Sequence, residues 1–78
     1  MGRPAERKNL IVEELRSRIV AGELNPGSRF PTRSEIEKQY GAGPTTVQRA
    51  LESLRRDGFI RVHSRKGTFV ADNPPHLS

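Results

Sequence analysis

Residues 43–58 read GPTTVQRALESLRRDG, and the fold turns on how this stretch is placed. Val47, Leu51 and Leu54 recur at i, i+4 and i+7 with Ala50 beside them, giving one apolar stripe on a helix. At about 100° per residue, Thr45, Arg49, Glu52 and Arg56 point away from that stripe, and Thr46 and Gln48 flank the outer face. Pro44 suits the first helical position, where its missing N–H is not needed. Gly58 suits the left-handed residue just past a helix end. The stretch therefore predicts a helix over 44–56 whose N-terminal end is polar and cationic. An anionic partner of defined shape suits such an end.

Upstream, Gly41-Ala42-Gly43 is a tight connection. Thr32 and Glu35 have the spacing of a capping box, which predicts a second helix running to about Tyr40 with Ile36 and Tyr40 inward. Two short helices joined by a short glycine-containing turn describe a helix-turn-helix. Earlier still, Ile11, Leu15 and Ile19 recur every four residues with Leu10 and Val12 alongside. That pattern predicts an amphipathic helix from Glu6 to about Ala21, closed by Gly22, with residues 1–5 as a flexible basic arm. Asn25-Pro26-Gly27 signals a turn, and Phe30 is expected to be extended because proline disfavours the α conformation in its predecessor.

Downstream the period changes. Phe59, Ile60 and Val62 precede a polar tip, Ser64-Arg65-Lys66-Gly67, and Thr68, Phe69 and Val70 resume the apolar character. This reads as a β-hairpin with a basic tip, and no acidic residue lies between Arg61 and Val70. Tyr40 and Phe59 are expected in the core. The expected fold class is α+β: a winged helix-turn-helix of three helices plus a C-terminal β-hairpin wing. The domain is assigned to residues 1–72, with 73–78 a linker or tail. The third helix is placed for a major groove, which an α-helix fits and where base edges are distinguishable.

Composition limits the alternatives. The 78 residues allow one small domain, and the absence of cysteine excludes disulfides, zinc-finger ligation and thiol chemistry. Fourteen Lys and Arg against nine Asp and Glu give a net charge of +5, which favours polyanions through counterion release. The competing reading of that charge is a basic domain that is simply soluble. No apolar run approaches the ~20 residues that span a bilayer. The N-terminal segment resembles neither a signal peptide nor a myristoylation site. A cytoplasmic, nucleoid-associated location is expected. His63 and His76 lie far apart with no carboxylate cluster at ligand spacing, so neither a metal nor another cofactor is expected. No nucleophile, base and orienting group form a set, so the chain does not read as an enzyme.

At this point the residues resemble a known family. IVAGELNPGSRFPTRSEIEKQYGAGPTTVQRALESLRRDGFI (19–60), followed by KGTFV (66–70), is similar to the DNA-binding domain of the GntR family of bacterial transcription regulators. Landmarks agree in order from Gly22-Glu23-Leu24 through Pro26-Gly27, Pro31, Glu35, Gly41, Thr45-Thr46-Val47 and Leu54 to Gly67-Thr68-Phe69-Val70. The resemblance implies a palindromic DNA operator, a homodimer in the full-length protein, a repressor role, and a small-molecule effector bound by a further C-terminal domain. It also brings departures. Pro44 stands where the family often has Arg before the Thr pair, and Gln48 replaces a further Arg. Arg49 takes a frequent Glu position, Ser34 a frequent Arg position with Arg33 one residue earlier, and Arg65 a frequent Gly position. The usual operator bases are therefore not carried over.

The candidate DNA-binding residues are Arg33, Ser34, Pro44, Thr45, Thr46, Gln48, Arg49, Arg65, Lys66 and Gly67. Thr45 and Thr46, at a helix start, are placed to bind a phosphate, against the plainer reading that Thr46 satisfies local backbone. Gln48 suits bidentate pairing with adenine and Arg49 with guanine, against a solvated surface charge. Arg33 and Ser34 are expected beside the backbone, against ordinary first-turn surface, and Arg65 and Lys66 in the adjacent minor groove, against a solubilising turn. Gly67 gives the hairpin a permissive φ and lets DNA approach closely. Arg3, Arg7 and Lys8 offer further cations to phosphates, against the plainer reading of a disordered terminal arm. The rival functions are a winged-helix protein-interaction module and a nonspecific nucleic-acid binder.

Overall fold

The computed structural model describes residues 4–73, with side chains from Glu6 onward, so Arg3, His76 and most of the 73–78 tail lie outside the described residues. The elements run α1 (Pro4–Val20), α2 (Arg33–Tyr40), α3 (Pro44–Arg56), β1 (Ile60–His63) and β2 (Gly67–Val70). The first helix starts earlier than its apolar repeat indicates. Pro4 takes the first helical position, where a missing N–H costs nothing, so α1 absorbs the end of the expected arm.

The three predicted stripes meet in one core. Ile11, Leu15 and Ile19 from α1, Ile36 from α2, and Val47, Ala50 and Leu54 from α3 are buried, with Phe30, Phe59, Ile60 and Val70 closing the wing side. Burying one such large apolar side chain favours folding by roughly 1.5–3 kcal/mol over leaving it in water. Two expectations need adjusting. Leu10 stands off the α1 stripe and is 55% exposed, whereas Val12 is buried. Tyr40 is only half-buried at the core margin because its hydroxyl reaches out to Glu14 Oε1 on α1, 3.1 Å away. Burial, reinforced by that carboxylate, raises the Tyr40 pKa above its ordinary value.

Local chemistry sets the start of α2 and the end of α3 where the sequence predicts them. Thr32 accepts a hydrogen bond from the Glu35 N–H at 3.2 Å, and the Glu35 carboxylate accepts one from the Thr32 N–H at 2.9 Å. This capping box starts α2. At the far end of α3 the Gly58 N–H donates to the Arg55 carbonyl and the Phe59 N–H to the Leu54 carbonyl. Gly58 sits at φ +87°, the left-handed geometry that lets both bonds form and swings Phe59 into the core.

Strands β1 and β2 pair antiparallel with Ile60 opposite Val70, Arg61 opposite Phe69, Val62 opposite Thr68, and His63 opposite Gly67. The wing has a further rung that the hairpin reading lacks. The Gly27 N–H donates to the Val70 carbonyl at 2.9 Å, the Val70 N–H to the Ser28 carbonyl at 2.8 Å, and the Phe30 N–H to the Thr68 carbonyl at 2.9 Å. Arg29 pairs with Phe69 across this bridge. The extended segment before Pro31 is thus stitched to β2 and runs directly into the start of α2.

Candidate nucleic-acid interface

The N-terminus of α3 is open. Its N-cap is Gly43, extended at φ −79° and ψ 165°, with no side chain to accept from the first N–H groups. Pro44 fills the next position and has no N–H, and no acidic residue occupies the first turn. The positive end of the helix dipole and the N–H groups of Thr45 and Thr46 are left for an outside acceptor. Thr45, Gln48 and Arg49 are exposed and Thr46 is half-buried, while Val47 and Ala50 behind them are fully buried. A rigid apolar back therefore presents a polar front.

The start of α2 differs. Its own capping box already occupies the Thr32 and Glu35 N–H groups, and the bond from Thr32 holds the Glu35 carboxyl below its ordinary pKa. Arg33 and Ser34 are exposed on its first turn.

The structure brings some expected residues together and separates others. Arg33, Gln48 and Gly67 line one cleft of about 410 Å³ between α2, α3 and the wing, with Glu52, Arg55 and His63 on its walls. Arg65 and Lys66 line a different depression of about 440 Å³ on the other side of the wing, beside Arg61, Phe69 and Asp72. Asp72 lies 3.4 Å from Arg61, so the acid-free hairpin gains one carboxylate from just beyond its end. The closing turn of the wing places the Lys66 N–H on the His63 carbonyl at 3.2 Å, and Gly67 follows at φ +109°. His63 packs edge-on against Phe69 with ring centroids 5.4 Å apart.

Three cations behave differently from expectation or were missed. Arg7, open between a phosphate contact and a disordered arm on sequence grounds, donates to the Gly41 carbonyl at 2.6 Å and ties α1 to the turn between α2 and α3. Arg55 faces the cleft beside Gln48, a placement that its helical spacing from Leu51 could have suggested. Arg29 donates to the Lys66 carbonyl at 2.8 Å, with its guanidinium carbon 6.0 Å from the centroid of the Phe69 ring. The only sequence signal for Arg29 was its place beside an extended Phe30-Pro31.

Three helices in helix-turn-helix order, followed by a strand pair that carries a basic loop, define a winged helix-turn-helix protein. The family model described as bacterial regulatory proteins, gntR family, matches residues 7–70. The chain therefore belongs to the gntR family, and what it carries is that family's winged-helix DNA-binding domain. It is similar to the HTH-type transcriptional repressor NagR of Bacillus subtilis, 36% identical over 61 residues that cover 78% of this chain and 25% of that protein. It is also similar to the arabinose metabolism transcriptional repressor of Geobacillus stearothermophilus, 33% identical over 65 residues, covering 83% of this chain and 18% of that protein. Among solved structures, AraR(DBD) in complex with operator ORR3 superimposes with a TM-score of 0.79 at 31% identity, covering 83% of this chain and 78% of that one. The chain spans between about a sixth and somewhat over half of the length of the curated relatives it matches. These relatives are regulators, not enzymes. Among the described residues no helix is long and apolar enough to cross a membrane.

Proposed function

We propose that this chain reads a specific duplex operator for a bacterial transcription regulator that acts as a repressor. The observation that carries the reading is the uncapped start of α3, exposed and free of acidic residues, next to a basic wing. In this arrangement Pro44 lets the backbone approach while the Thr45 and Thr46 N–H and hydroxyl groups hold a phosphate. Gln48 and Arg49 then address base edges in the major groove, where an adenine suits the amide and a guanine the guanidinium. Arg33 and Ser34 meet the backbone from α2. Arg65, Lys66 and the bare Gly67 backbone reach the flanking minor groove.

The full-length protein is proposed to bind a palindromic operator as a homodimer, because two-fold symmetric readers require two-fold symmetric sites. A small-molecule effector would act on a C-terminal domain joined through residues 73–78, with 1–72 as the DNA-binding unit. The working location is the cytoplasm, at the nucleoid.

Selection of bound sequences from random duplexes tests the proposal. One enriched motif is expected, with affinity falling steeply as salt rises. Against the best selected site, Arg49→Ala should lose about 1–3 kcal/mol and relax preference at one base position. Steep salt dependence with no enriched motif would leave only nonspecific binding. Absence of duplex binding at low salt would leave a protein-interaction module.

A further inference from the structure

The loop that carries Arg65 and Lys66 does not stand free. A hairpin loop of this kind ordinarily samples many conformations, and ordering it on a ligand costs free energy that comes off the affinity. Here one side chain from outside the hairpin reaches the loop. Arg29, on the 27–30 segment, donates from Nη2 to the Lys66 carbonyl at 2.8 Å. A Cβ built on Gly67 would meet Nη2 at an ordinary contact distance of 3.8 Å, and the guanidinium carbon lies 6.0 Å from the Phe69 ring centroid. The backbone beneath it is fixed by the hydrogen bonds of Ser28 and Phe30 to β2. Three residues further along the chain, Thr32 caps α2. A single short stretch therefore holds both the wing loop and the start of α2, and Arg29, Thr32, Arg33 and Gly67 line one recess between them.

We propose that Arg29 is a positioning residue. Its hydrogen bond to the Lys66 carbonyl pre-orders the wing loop, so that Arg65 and Lys66 meet DNA in register with Arg33 and Ser34. A charge-assisted hydrogen bond directed at a carbonyl, together with the guanidinium charge over the Phe69 ring at 6.0 Å, holds the loop without consuming Arg65 or Lys66. The consequence for affinity rests on the DNA-binding reading above, whereas the brace can be measured without DNA.

The test has two arms on the 78-residue chain. In the DNA-free arm, backbone amide relaxation is compared between the parent, Arg29→Ala and Arg29→Lys. Residues 64–67 should lose order in Arg29→Ala and regain part of it in Arg29→Lys, which keeps a donor but not the planar face, while α3 stays unchanged. Loop order that does not respond to Arg29→Ala overturns the brace. In the second arm, fluorescence anisotropy follows a labelled duplex recovered by selection. Arg29→Ala should weaken binding about 5- to 10-fold, the scale of one hydrogen bond and its ordering. In an Arg65→Ala/Lys66→Ala background the same change should shrink to under about 2-fold, because the wing then has no cation left to position. An equal loss in both backgrounds means that Arg29 touches the phosphate itself, which overturns the positioning role. A parent chain that binds no duplex defeats the functional reading, and the relaxation data then decide the brace alone.

Discussion

Gly67 shows how much one residue can carry. Its φ of +109° is a conformation that side-chain-bearing residues rarely adopt, yet the space around it is open, since an added Cβ would meet Arg29 only at an ordinary 3.8 Å. The cost of Gly67→Ala should therefore come from the backbone and not from a clash, at roughly 1–3 kcal/mol. Chemical denaturation reads it directly, and a loss of only a few tenths would show that the wing loop relaxes around the new side chain. Arg7 carries a different lesson. As a basic residue near a chain terminus it invites a phosphate role, but its bond to the Gly41 carbonyl makes it a tie between α1 and the inter-helix turn. Charge type was legible in the sequence; the direction of the side chain depended on which helix α1 packs against.

At the scale of elements, α2 rests on its capping box and shows how pH should act. The Thr32 N–H holds Glu35 as a carboxylate and lowers its pKa in the fold, so this contribution is complete above the ordinary glutamate value. It fades as pH falls through the lowered folded value. Thermal unfolding across the acid range should show a decline that Glu35→Gln lessens, because the amide keeps an acceptor and has no proton to gain. An identical decline in both proteins would place the acid sensitivity elsewhere. Thr32→Ala should cost about 1 kcal/mol near neutral pH. The box, α3 and the two ends of the turn were readable because each is encoded within four residues or one helical period. The rung at 28–30 was not. Three residues are too short for alternation to register, and its hydrogen bonds all go to β2, some forty positions away. Arg29 became visible only with that pairing, and with it the route by which the wing and α2 share one support. The start of α1 was misplaced for the opposite reason, since Pro4 punctuates a chain equally well as the end of a coil or as the first helical residue.

At the scale of the whole molecule, the fold separates two ways of losing DNA binding. The core is small, and Leu15 is fully buried in it between α1 and the rest of the domain. Leu15→Ala should cost about 2–5 kcal/mol, a large share of the roughly 4–12 kcal/mol available to a domain of this length. Leu15 is not itself a proposed DNA-facing residue, so the molecules that remain folded should bind with the same dependence on salt as the parent. Its apparent affinity should fall only near its own lowered melting temperature and recover on cooling. Arg65→Ala should do the reverse. Melting should stay put, because the side chain is exposed, while the slope of log affinity against log salt should flatten by about 0.9, the share of a single neutralised phosphate. Circular dichroism and anisotropy on the same samples separate the two. A flattened slope in Leu15→Ala would mean that the core and the DNA-facing front are not independent, and an unchanged slope in Arg65→Ala would remove the wing tip from the interface.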